Sequence, residues 1–405
     1  DALAKTTLEA VRGDVAAWPA ERPALDRRHA LRFVLRRDPA NADAMAAVRE
    51  LVPAGLPAGD PFPALQWLDF ADATALTPVK LLDAKLEDFD GELSDDDRMA
   101  KQQLLVWRRD WRSDLMALQS DRLVLFSPLL QPGSLARSLA TGEIVCDTLE
   151  AMFADLPRQR SDPRQMLVFI YPDQADYLAA SKKLGFDASW TAGFYSDALN
   201  ELVPKSRMFV PENDADFARV LPTMAHELTH QWLRDRCPAF MPDQVASRVG
   251  PRSYWIVEGF ASFIEQFDFD LARRTARLGK GHLFYADLVA SAEPSQLISW
   301  ARLATLGRAG FAQGVASNRS LKVPSSMRLG ASFQVRWRDA FYAQSAMLAR
   351  YLYDAEDGKH RRALLDYVVA FYAGEVEKLD FEKAFGASPA TIGAAVTDYA
   401  RELLK

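Results

Sequence analysis

The sequence predicts an α+β protein, a small mixed sheet set among helices. Three observations predict it. Arg122-Leu123-Val124-Leu125-Phe126 and Met166 to Tyr171 are short apolar runs, β-branched in part, of strand length rather than helix length. The stretches on either side carry apolar residues at helical spacing. Downstream stands His226-Glu227-Leu228-Thr229-His230, where two histidines four apart share one face only on a helix.

In chain order, residues 1 to 57 read as helical. Ala24, Leu25, Leu31, Val34 and Leu35 are apolar at helical spacing, Asp38-Pro39-Ala40-Asn41-Ala42 breaks the run, and Ala44 to Leu51 resumes it. The pair resembles one tetratricopeptide-like hairpin near 24–51. No second copy follows, so the segment reads as a helical lead-in and not as a repeat array. Pro53 to Pro63 is a Pro/Gly-rich connector. Asp83 to Asp97 is acidic and lacks the alternating ligand spacing of a calcium loop, which makes it a solvated face or linker. Ser94, with Asp97 three residues on, signals a helix start. Leu104, Leu105, Trp111, Leu115 and Leu118 then stripe one long helix.

From Asp121 the pattern changes. After the first strand, Val145, Leu149, Met152, Phe153 and Leu156 stripe a helix, and the second strand follows. Thr191 to Val203 offers short strands around Gly193, and Ser206 to Val210 another. Asp214 or Asp216 begins the approach to the histidine helix, with Pro222 at or near its first turn. Beyond Phe267 the chain reads as mostly helical. Gly307 to Ser332, richer in Gly and Ser, reads as a cleft loop. Ala340 to Tyr353, Lys359 to Tyr372 and Ser388 to Leu403 read as closing helices, the last opened by Ser388-Pro389. The expected division is a helical region 1–118 and a second domain 119–405, with sheet and metal helices in 119–270 and a helical subdomain in 271–405.

The chain has 405 residues, 49% hydrophobic and 26% charged, an ordinary globular balance sufficient for two domains. Its formal net charge is −6 and no basic run points to nucleic acid. No stretch reaches the ~18 apolar residues of a membrane span. Residue 1 is Asp and no signal-like apolar core follows, so the sequence reads as a mature exported form, periplasmic or secreted, or as a trimmed chain. Cys146 and Cys237 are compatible with one disulfide or with two buried thiols.

The chemistry gathers at His226 and His230. On a helix their imidazoles aim at one point, which suits a zinc ion. Glu227 lies beside them, able to take a proton from a water at the open metal position. The bland alternative is a polar helix face with two solvated histidines, but the chain has only five histidines, and two of them fall at this spacing around a Glu. A third protein ligand is required, and 27 residues lie between His230 and Glu258. Ser253 is placed to cap the helix that carries Glu258, with Ile256, Phe260, Phe263, Ile264 and Phe267 as its apolar stripe. Glu258 lies off that stripe. Small Ala261 would let the two helices approach, and Glu265 returns near the ligand face, where it could fix a histidine tautomer. His282 and His360 read as surface or structural histidines.

His-Glu-Leu-Thr-His-Gln-Trp followed by Trp-x-x-Glu-Gly-Phe-Ala-Ser-x-x-Glu resembles the gluzincins, the thermolysin-like zinc metallopeptidases, with wording close to the aminopeptidase branch. The later Phe341-Tyr342-Ala343-Gln344-Ser345-Ala346-Met347-Leu348 is similar to bacterial peptidase-MA-like families. The resemblance covers roughly Asp121 to the C-terminus. It implies a thermolysin-like domain behind a helical N-terminal region, and one Zn2+ per chain on His226, His230 and Glu258. It also implies Glu227 as general base, Glu265 as an outer acid, and a peptide or protein substrate. In that resemblance the last strand of the sheet is its edge along the cleft, open to strand addition by an extended peptide. The gap between the two motifs is longer than the aminopeptidase branch shows. The Gly-Ala-Met-Glu-Asn segment that reads a free amine there is missing, which favours endo- or oligopeptidase action. A zinc hydrolase of non-peptide amides or esters, or a non-catalytic peptide-binding protein on the same fold, are the alternatives. Gluzincins use a late Tyr or His as oxyanion donor; Tyr342 is the expected one and Tyr254 its competitor.

Overall fold

A computed structural model describes residues 24–51, 64–82, 95–128, 131–156, 165–183, 187–189, 191–196, 201–204, 217–236, 252–279, 283–317, 320–324, 332–375 and 378–405. The expectations for Pro53 to Pro63, Asp83 to Ser94, Ser206 to Val210, Asp214, Asp216, Cys237 and His282 lie outside these residues.

Helices α1 (Ala24–Arg37) and α2 (Ala42–Leu51) form where the apolar spacing predicts them. The turn between them is closed by Asn41, whose side-chain oxygen accepts the Ala44 N–H at 2.9 Å. α3 (Ala64–Leu76) packs against both, and Arg32 of α1 reaches Asp69 and Asp72 of α3. The lead-in shares its core with the rest of the chain. Leu31, Val34, Trp67 and Phe70 belong to the same buried cluster as Leu125, Met224 and Phe260.

β1 (Lys80–Leu82), α4 (Asp95–Asp110) and β2 (Met116–Gln119) follow. The long helix expected through Leu118 therefore stops at Asp110. The N–H groups of Trp111 and Arg112 both turn back to the Trp107 carbonyl, and Arg112 holds Asp114 at 2.8 Å across the bend. Leu115 and Leu118 are buried in and beside a strand, because Leu118 finds Leu125 as its partner across the sheet. The boundary expected at 118/119 falls inside β2.

Next come β3 (Leu123–Ser127), α5 (Pro132–Met152), β4 (Met166–Phe169), α6 (Gln174–Lys183), β5 (Gly193–Ser196) and β6 (Glu201–Pro204). The six strands are ordered β1-β2-β3-β4-β6-β5. β3, β4 and β6 are parallel, and the remaining pairings are antiparallel. The sheet is covered on both faces. Leu123, Leu125 and Val168 face the main core, while Val124, Phe126, Leu167 and Phe169 face a second core under α4 and α6. On the second face Phe126 stacks on Phe169 at 4.9 Å between ring centres. The edges of the described sheet are β1 and β5, and Ser206 to Val210, the last strand expected, lies outside the described residues. The β5–β6 hairpin folds back so that β6 takes the inner place beside β4.

α7 (Phe217–Arg236) carries the two histidines, and α8 (Trp255–Ile264) carries Glu258. Pro222 sits past the first turn of α7, inside the helix. Beyond α8 the chain contains more strand than expected. β7 (Phe267–Asp270) and β8 (Thr275–Leu278) form a hairpin whose turn is closed by Asp270 accepting the Arg273 N–H at 3.0 Å. Phe267 is thus a strand residue and not the end of the α8 stripe. α9 (Leu283–Ser291), α10 (Trp300–Thr305) and α11 (Arg308–Ala316) lead to a second hairpin, β9 (Ser320–Pro324) with β10 (Ser332–Arg336). The stretch read as a cleft loop therefore holds a helix and the first strand of a hairpin. α12 (Trp337–Gly358), α13 (Arg361–Tyr372), α14 (Phe381–Phe385) and α15 (Pro389–Leu403) close the fold. Ser388 caps α15 by accepting the Thr391 N–H at 3.2 Å.

Two glycines set the helix spacing. A Cβ on Gly142 of α5 would lie 2.6 Å from Leu123, and one on Gly259 of α8 would lie 2.6 Å from the Ser345 carbonyl of α12. Glycine lets α5 lie against β3, and α8 against α12. Among the described residues no helix is long and apolar enough to cross a membrane.

Candidate metal centre

α7 buries Met224, Ala225, Leu228, Trp232 and Leu233 in the main core, which fixes its rotation. His226 and His230, one turn apart, are thereby directed at α8. That helix is anchored by Trp255, Ile256, Phe260, Phe263 and Ile264, all fully buried. Its start is not capped by Ser253. Ser253 is buried in a left-handed conformation (φ 63°), with its hydroxyl 2.6 Å from the Tyr367 hydroxyl, and Tyr254 takes the cap position. α7 packs against α8, and Ala261 of α8 is fully buried.

The three expected ligands meet. His226 Nε2 lies 3.1 Å from His230 Nε2 and 3.3 Å from Glu258 Oε2, and His230 Nε2 lies 3.7 Å from the same oxygen. A tetrahedral shell with zinc–ligand bonds of about 2.0–2.2 Å has edges of about 3.4 Å. Among the described residues this is the one group of three or more His, Cys, Asp or Glu side chains close enough to share a metal ion. The donor set also fits. His226 Nδ1 lies 3.1 Å from Glu265 Oε2 and 3.4 Å from Ser262 Oγ, so its Nδ1–H donates to the carboxylate and Nε2, toward His230 and Glu258, is the nitrogen that a cation would take. Two imidazole nitrogens at 3.1 Å with a carboxylate oxygen beside them form a concave, electron-rich site for a cation.

The electrostatics agree. Burial works against charge on His226, but the Glu258 and Glu265 carboxylates outweigh it and hold its pKa well above the usual imidazole range. Burial pushes Glu258 up, but His226 and His230 overcome it and hold the carboxyl well below the usual range. The cluster favours positive charge among its donors. Glu227 is buried in the same place. Its pKa is raised, by burial above all, against the pull of the two histidines. Neither Glu227 nor Glu258 has an arginine or lysine within ion-pair reach among the described residues.

Four tyrosines border the centre. The Tyr254 hydroxyl donates to Glu258 Oε1 at 3.1 Å, which holds that carboxylate with Oε2 toward the histidines. Tyr342, in the second turn of α12, has its ring 6.3 Å from the His226 ring. Burial raises its pKa well above that of a free phenol, and Glu258, Tyr254 and Glu227 add to the effect. Both expected tyrosines thus reach the site, Tyr254 on the carboxylate ligand and Tyr342 beside the histidine. Tyr285 of α9 and Tyr177 of α6 were not legible in the sequence. Tyr285 donates to Glu265 Oε1 at 2.6 Å. Tyr177 pairs with Thr191 at 2.6 Å and lies near Glu227, which helps burial raise its pKa. Each comes from a separate element, at no spacing that links it to either motif. His360 precedes α13, away from the centre, where burial and Lys359 lower its pKa. Cys146 is a buried thiol in α5. The chain matches no protein-family model and no curated protein.

Proposed function

We propose that the chain is a zinc-dependent peptidase that hydrolyses peptide bonds, with Glu227 as general base. The observation that carries this reading is the donor triangle of His226, His230 and Glu258, with Glu227 buried against it and no fixed cation nearby among the described residues. His226, His230 and Glu258 would hold the ion. When bound, zinc supplies a Lewis acid for the scissile carbonyl and lowers the pKa of water.

The rest of the chemistry belongs to the chain. Glu227 accepts the proton of the attacking water and returns it to the leaving amine. A carboxylate whose pKa burial has raised is a stronger base for the first step and a usable acid for the second. Tyr342 keeps its proton, because its pKa is far above neutrality, and a neutral phenol can donate to the oxyanion that develops on the carbonyl oxygen. Tyr254 donates to Glu258 Oε1, and Tyr342, whose hydroxyl also lies beside that carboxylate, is the donor that would turn to substrate. Glu265 keeps His226 in the Nδ1–H tautomer. Endo- or oligopeptidase action is favoured by the missing amine-reading segment. Of the two edge strands of the described sheet, β5 is the one that packs on α7, which favours it for pairing with an extended substrate backbone.

The test is metal analysis followed by hydrolysis of a peptide library with and without chelator. One zinc per chain and chelator-sensitive cleavage are expected. A zinc-loaded chain that cleaves no peptide would pass the site to non-peptide amides or esters. A chain that stays metal-free in excess zinc would remove the reading altogether.

A further inference from the structure

We infer that Tyr285 is a positioning residue for His226, acting through Glu265 to fix the orientation of the imidazole; this rests on the reading of the cluster as a zinc site. Glu265 is the residue that closes α8, just past its last helical position. Helix ends are loosely held, so a side chain there needs anchors of its own. Glu265 Oε2 faces His226 Nδ1 at 3.1 Å, and Oε1 accepts from the Tyr285 hydroxyl at 2.6 Å. The carboxylate is thus bridged between the histidine helix and α9.

α9 is a firm support. Ala286, Leu288 and Val289 are buried, and the helix packs on α12 and α15. The hydroxyl keeps its proton and so can donate it, since burial and the Glu265 charge raise its pKa well above the usual phenol range. Donation to Oε1 fixes the rotation of the carboxylate plane, and that plane fixes where Oε2 meets the imidazole. The histidine ring is then held before any ion arrives. The metal centre is therefore oriented by three layers in series: His226, Glu265, and a tyrosine from the C-terminal helices.

The experiment is a zinc dissociation constant for the full chain, by competition with a chromophoric chelator. It compares the wild type with Tyr285→Phe, Glu265→Gln and the double variant. Glu265→Gln should weaken zinc binding about 10–100-fold, the range for a partner of a ligating histidine. Tyr285→Phe should weaken it about fivefold, the worth of one ordinary hydrogen bond. In the Glu265→Gln background, Tyr285→Phe should add less than about twofold, because the carboxylate through which it acts on His226 has been removed. The melting temperature of the metal-free Tyr285→Phe chain should stay near that of the metal-free wild type, as the ring is kept. Unchanged zinc affinity in Tyr285→Phe overturns the inference, and so does an equal loss in both backgrounds, which would mean a general effect on the fold. A wild-type chain that takes up no zinc overturns instead the reading on which it rests.

Discussion

Helix α7 takes part in two charged clusters, and they are built on opposite plans. At its end, Arg236 holds Glu150 at 2.6 Å. Glu150 also faces Arg122, which reaches Glu143 at 2.6 Å and Asp147 at 2.5 Å, while Arg274 from the β7–β8 turn meets Asp147 at 3.2 Å. Every carboxylate in that cluster has a guanidinium, and the network ties sheet, α5, α7 and hairpin together. A few turns earlier on the same helix, Glu227, and Glu258 facing it from α8, are buried with imidazoles for company and, among the described residues, no arginine or lysine. The first cluster is closed and complete. The second has imidazoles and no guanidinium or ammonium facing its acids among the described residues, a donor set that could hold a cation from outside. Burial of acid groups is common to both. What separates a structural network from a candidate metal centre is whether the protein supplies the counter-charge itself.

The sharpest break between the two comes from removing one acid at the open site. Glu227→Gln should keep the zinc and lower turnover about 10²–10⁴-fold, because the amide fills the same space but accepts no proton. Its folding stability should equal or exceed that of the wild type, since a buried carboxylate without a fixed cation is lost. Near-normal turnover in any peptide assay would exclude Glu227 as the base.

The closed cluster should respond in the opposite way. Arg122→Ala strands Glu143, which is only 2% exposed, and should cost about 3–5 kcal/mol in a denaturant titration. A loss below about 1 kcal/mol would put it with ordinary surface ion pairs and erase the contrast.

Tyr342→Phe should lower kcat about 10²–10³-fold with a smaller change in KM, as expected of a donor that strengthens in the transition state. If kcat holds and zinc affinity falls instead, Tyr342 belongs with Tyr254 and Tyr285 as a residue that orients the site.

The smallest effect tests the scaffold under the open site. Gly259→Ala would place a methyl against the Ser345 backbone and should destabilise by about 1–3 kcal/mol, through separation of α8 from α12. Thermal melting should show this, with zinc affinity reduced in parallel. Unchanged stability would mean that the two helices do not need their close approach.

Much of the site was written locally. His226, Glu227 and His230 lie within five residues, and helix geometry alone decides that the two imidazoles share a face. The Glu258 stripe could also be read, because a one-sided helix shows which of its residues avoid the core. Local signals failed where neighbours decided the outcome. Leu115 and Leu118 have helical spacing from Trp111, yet Leu118 pairs with Leu125, and a strand results. Ser253 has the chemistry of a cap, yet the Tyr367 hydroxyl from a distant helix captures it. Phe267 extends an apolar stripe, yet it pairs with Leu278 in a hairpin.

The sequence by itself thus determined the residue types of the candidate metal site, the helical spacing of its histidines and the glutamate beside them, since those depend on contacts within a turn or two of the chain. Tertiary structure alone decided that Glu258 meets the histidines with one oxygen while Tyr254 holds the other. It also decided that β6 lies inside the described sheet with β5 outside it, and that Tyr285 and Tyr177 come to the centre at all. These depend on residues brought together across long stretches of chain, where packing of buried helices and not sequence spacing sets the distance.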